Sequence, residues 1–80
     1  MEDRRKGYRM RRLKEGRIVF NGRNSVMSCI VRDATAEGAR VTLGEAFRVP
    51  AEFEFTMNGV ARQARRIWVR DNELGLAYGP

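Results

Sequence analysis

From residue 15 onward, apolar and polar residues alternate mostly with a period of two. The cleanest case is 51–57, where Ala51, Phe53, Phe55 and Met57 fall on one face and Glu52, Glu54 and Thr56 on the other. That pattern predicts a half-buried antiparallel strand. Over 38–43, Ala39, Val41 and Leu43 alternate with Arg40 and Thr42. Near the C-terminus, Leu74, Leu76 and Tyr78 alternate with Gly75 and Ala77. Two further β-rich runs cover 17–21 and 26–32, and a longer one runs from Val60 to Arg70 through Ile67, Trp68 and Val69.

The punctuation agrees with this reading. Asn21-Gly22-Arg23-Asn24, Asn58-Gly59 and Asp71-Asn72 are turn sequences set between the runs. Six short strands with turns between them predict an all-β, six-stranded antiparallel closed barrel. No segment carries a sustained helical period, and the chain has no repeats or low-complexity linkers. Eighty residues make one domain, 1–80, divided into a flexible Arg-rich arm over 1–14 and a barrel over 15–80.

Charge sharpens the picture. Residues 1–17 hold eight basic side chains against three acids, a surplus of five, whereas the rest of the chain holds eight arginines against seven acids. The positive field therefore belongs to the arm. Such a field favours an anionic partner: nucleic acid, acidic lipid or a phosphorylated small molecule. Cys29 is the only cysteine, and no apolar run approaches the ~20 residues of a membrane-spanning helix. A lone thiol and no secretory hydrophobic segment predict a reducing, cytoplasmic setting without membrane insertion.

The missing residue types argue against catalysis. With no histidine and one cysteine, the common zinc sites cannot be built, and the usual base for a serine or cysteine nucleophile is lacking. No phosphate-cradling glycine motif is present. The expectation is a binding protein that is not an enzyme, with no metal and no cofactor.

Two constellations stand out. One is Arg4-Arg5-Lys6-Gly7-Tyr8-Arg9, with Arg5 and Arg9 four apart. The other is Asp33-Ala34-Thr35-Ala36-Glu37-Gly38, separated from Arg9 by 23 residues. A guanidinium fork matches guanine O6 and N7, and it matches phosphate oxygens equally well. An aspartate can accept from guanine N1–H and the exocyclic amine, which Arg and Lys cannot do. A hydroxyl such as Thr35 can bond a base edge or phosphate, or cap its own turn. A glycine lets backbone approach a ligand or take φ > 0. Trp68 reads equally as core or, if Ile67 and Val69 point inward, as an outer face on which a guanine stacks. Cys29 and the methionines read as packing residues.

RxxxR followed 20–30 residues later by [D/N]xSxxG resembles the signature of PilZ domains, bacterial receptors for cyclic di-GMP. Arg5 and Arg9 match the first motif, Arg4 the additional arginine often before it, and Asp33, Thr35 and Gly38 the second. Gly38-Ala39-Arg40-Val41, Arg66-Ile67-Trp68 and Gly75-Leu76-Ala77-Tyr78 resemble later strands of that family. One departure is Thr35 in place of the family's serine, which adds a methyl and stiffens χ1. Another is that Pro80 leaves little or no room for a C-terminal helix. The resemblance implies a cyclic di-GMP receptor whose arm orders over the ligand and creates a surface read by a downstream effector protein. Its ligand-binding residues would be Arg4, Arg5, Arg9, Asp33, Thr35 and Gly38, with Trp68 as the candidate stacking face. The alternatives are a degenerate PilZ adaptor that binds no nucleotide, and a small-barrel nucleic-acid binder. The latter is the weaker expectation, because the seven aromatics are scattered.

Overall fold

The computed structural model describes residues 14–79, and within them the alternating runs become six strands. These are β1 (Lys14–Phe20), β2 (Ser25–Ala34), β3 (Gly38–Thr42), β4 (Glu52–Met57), β5 (Val60–Arg70) and β6 (Glu73–Tyr78), with a short 3-10 turn at Ala46–Arg48. Every pairing is antiparallel, and the order β1-β2-β3-β6-β5-β4 closes on itself through β4 and β1. The all-β closed barrel expected from the sequence is therefore the observed fold. No helix among the described residues is long and apolar enough to cross a membrane.

The first strand starts at Lys14, three residues before the expected 17–21 run and one inside the expected arm. Its polar start Lys14-Glu15-Gly16 hid it, yet all three residues pair with β2. Gly16 faces inward, where a Cβ would sit 3.1 Å from the Phe55 ring, so the large ring and the absent side chain fit together.

The turns follow the local chemistry. Asn58 and Gly59 take φ of 56° and 78°, the doubly left-handed geometry that suits a two-residue hairpin. Asn21, Gly22 and Arg23 are also left-handed, and Asn24 N–H donates to Asn21 O at 3.0 Å.

The inward positions of all six strands make one core. Ile18, Phe53, Phe55, Val41 and the pair Leu74 and Leu76 supply its bulk, and Ala64 faces them from β5. Ala46 and Val49, from the segment between β3 and β4, join the same cluster. Fully burying such a side chain is worth roughly 1.5–3 kcal/mol, and Phe55, Ile18 and Leu74 are essentially sealed from solvent. Cys29 lies within this core, and Met27 and Met57 pack against it, as expected of packing residues.

Two β-bulges break the alternation, one between Val31 and Asp33 and one between Arg66 and Trp68. In each, one extra residue on the bulged strand reverses which face the following residues occupy. These two interruptions decide what the outer surface displays.

Candidate functional site

Val31 and Asp33 are two apart, so an unbroken strand would aim both into the core. Val31 does point inward, opposite Val41. The bulge at Arg32 advances the register so that Asp33 pairs with Arg40, the neighbour of Val41 on the opposite face. The same device operates on β5. Arg66 pairs with inward-facing Leu76, the bulge absorbs Ile67, and Trp68 then pairs with Gly75 on the outer face. Because Arg40 also pairs with Gly75, four strands contribute one continuous outer row: Asp33, Arg40, Gly75, Trp68.

The row is bound together by charge and shape. Arg40 donates from Nε and Nη2 to the same oxygen of Asp33, Oδ2, at 2.9 and 2.6 Å. Its Nη1 donates to Glu73 Oε2 at 3.1 Å, so one guanidinium links β2, β3 and β6. The bond to Asp33 is the main cause holding the Arg40 pKa above its ordinary value. Two carboxylates thus engage this one guanidinium. Both bonds to Asp33 go to Oδ2 and not to Oδ1, on a side chain that is 66% exposed.

At the far end of the row, the Trp68 indole lies across Gly75, and a Cβ at Gly75 would collide with its pyrrole edge. Trp68 is 38% exposed. It is therefore an outer residue rather than core. Ile67 is the bulged residue and is exposed, while Val69 packs on the core, so only one of the two neighbours points inward.

The turn beside Asp33 holds the other two matched residues of the second motif. Thr35 N–H donates to Gly38 O at 2.9 Å, and Thr35 Oγ1 accepts from Glu37 N–H at 3.1 Å. The hydroxyl thus caps its own turn and keeps its hydrogen to donate outward. Tyr78 N–H donates to Glu37 O at 2.9 Å, which ties the turn to β6. Gly38 is buried opposite Ala77. A Cβ there would run into the Leu76 carbonyl oxygen, so close passage of β6 is what demands glycine.

The structure thus sets outward-facing Asp33 beside the Thr35 turn, with Gly38 buried where β6 passes; Trp68 also faces outward, but on β5, three strand steps from β2 in the closed order. Arg4, Arg5 and Arg9 lie outside the described residues. Sequence reasoning missed Arg40 and Glu73 as members of the site. Alternation already put Arg40 on the outer face, but its partner Glu73 lies 33 residues away. Among the described residues no cluster of acids and cysteine could hold a metal ion. No family model, curated protein or solved structure matches the chain.

Proposed function

We propose that this chain is a PilZ-type receptor that binds cyclic di-GMP on the outer face of the barrel. The observation that carries this reading is the pair of bulges, which turn Asp33 and Trp68 outward into a single row. Asp33 offers an acceptor for a guanine edge, and Trp68 offers an outward aromatic face on β5, three strand steps away in the closed order. Thr35 adds a donor beside Asp33. Arg40 is already engaged by two carboxylates, so the phosphates call for further cations. The arm's Arg4, Arg5 and Arg9 supply them, and guanidinium forks suit both phosphate and guanine.

The mechanism is binding without chemistry. The arm arginines repel one another until two phosphates neutralise them, and the ligand then pins the arm over the Asp33–Trp68 row. The resulting surface, part protein and part nucleotide, is what a downstream effector protein reads. The sequence supports a cytoplasmic setting for this signal.

One observation favours a nucleotide-free adaptor as the second reading: Arg40 already engages Oδ2 of Asp33. A nucleic-acid-binding barrel finds less support. Its bases would need aromatics arrayed on one face, but the exposed aromatics among the described residues, Phe47 and Trp68, sit on different elements.

A calorimetric titration with cyclic di-GMP, with GTP and cyclic di-AMP as controls, tests the reading. Selective binding of cyclic di-GMP, accompanied by a change in Trp68 fluorescence, is the expected result. Equal response to all three, or to none, refutes it.

A further inference from the structure

We propose that Arg40 is a positioning residue that makes the site selective for guanine by fixing the carboxylate of Asp33. The inference rests on the cyclic di-GMP reading and names a determinant of specificity that the second motif does not contain.

The geometry supplies the reason. An aspartate at an exposed strand position turns freely about two side-chain bonds, and a base edge would have to freeze that motion on binding. Here the freezing is done in advance. Two donors of Arg40 grip Oδ2, at 2.9 and 2.6 Å, and its third anchor is Glu73 Oε2 at 3.1 Å on the next strand. Asp33, Arg40 and Glu73 thereby form a brace across three strands. Oδ1 is the oxygen left to accept from the guanine edge. Adenine presents a ring nitrogen acceptor where guanine presents N1–H, so a fixed carboxylate rejects it. The hypoxanthine ring keeps N1–H but lacks the exocyclic amine, so an Oδ1 held between those two donors loses one of its bonds there.

Charge gives Arg40 a second effect on the same atom. The first 13 residues contain six basic side chains. An unbraced Asp33 would be the natural partner of an arm arginine, and the base would then lose its acceptor. Arg40 occupies that place and offsets the carboxylate's repulsion of the ligand's phosphates.

The test is a double-mutant cycle on the full chain with Arg40→Met, Asp33→Asn and both together. Binding of cyclic di-GMP and cyclic di-IMP is measured by calorimetry at one salt concentration, with circular dichroism to establish folding. Arg40→Met should weaken cyclic di-GMP binding about 10-fold, the scale of coupling between contacting residues. It should also narrow the preference for guanine over hypoxanthine. In the Asp33→Asn background the same change should have an effect of less than about 2-fold. Additive losses would overturn the proposal, because Arg40 would then be touching ligand itself or acting through the fold. If Arg40→Met does not fold, Arg40→Lys keeps the cation but cannot grip Asp33 and Glu73 together. Unchanged affinity and guanine preference in folded Arg40→Lys would also overturn it. Failure of the parent chain to bind cyclic di-GMP would defeat the receptor reading, and this inference with it. Additive losses with a binding parent defeat this inference alone.

Discussion

Trp68 and Gly75 face each other across β5 and β6, and the indole occupies the space that a Gly75 side chain would need. Gly75→Ala should therefore force the ring outward. Because Trp68 is the only tryptophan, its emission reports the change directly. The expected result is a red shift and a loss of roughly 1–3 kcal/mol of stability in urea, as for other overpacking substitutions. An unchanged emission maximum and midpoint would contradict this placement of the ring.

Two other glycines make a matched pair. A Cβ at Gly38 would meet the Leu76 carbonyl oxygen and lie 3.0 Å from Ala77 Cα, both backbone atoms that cannot step aside. Gly38→Ala should cost about 1–3 kcal/mol. At Gly44 a Cβ would meet open space, so Gly44→Ala should be neutral or stabilise by up to about 1 kcal/mol through the unfolded chain. Urea unfolding of both variants checks the contrast, and equal midpoints would show that β6 does not pass Gly38 as described.

Local pattern made most of this barrel readable before its structure was known. Alternation located the strands, and the long run 60–70 emerged with the same limits as β5. Asn58-Gly59 announced its hairpin because few other pairs accept two left-handed residues. Strand pairing was not readable, since the closure of β1 on β4 joins residues about 40 apart and depends on shape rather than on neighbours. The bulges were not readable either. Val31 and Asp33 have the parity of one face, and nothing in the intervening Arg32 says that the register will advance there. For the same reason Trp68 stood undecided between core and surface. The motif residues were legible by chemistry, but the brace from Arg40 to Glu73 required knowing that β6 lies beside β3.

Burial gives a pH-dependent prediction at Cys29. Desolvation in the core is the main cause raising the thiol from 9.0 to about 11, against a backbone hydrogen bond at Gly16 that lowers it. The folded state thus holds its proton at pH values where the unfolded state loses it. Cys29's contribution to stability is full below about pH 9 and is lost as pH rises toward about 11. Urea midpoints of the parent should fall more steeply across that window than those of Cys29→Ala. At pH 8 a thiol reagent should label the native chain slowly and the unfolded chain rapidly. Parallel alkaline profiles, or rapid native labelling, would contradict a buried thiol.

The most direct test of the receptor reading is calorimetry of cyclic di-GMP binding to the parent chain and to Asp33→Ala at one fixed salt concentration, with circular dichroism of both. A nonspecific polyanion binder should bind tighter without Asp33, because a carboxylate disappears and Arg40, no longer engaged by it, offers another cation to the phosphates. A guanine receptor should bind more weakly, because the base loses its acceptor. The expected result is a folded variant whose binding is weakened by about 1–3 kcal/mol. A folded Asp33→Ala that binds cyclic di-GMP as well as the parent, or better, would contradict the receptor reading.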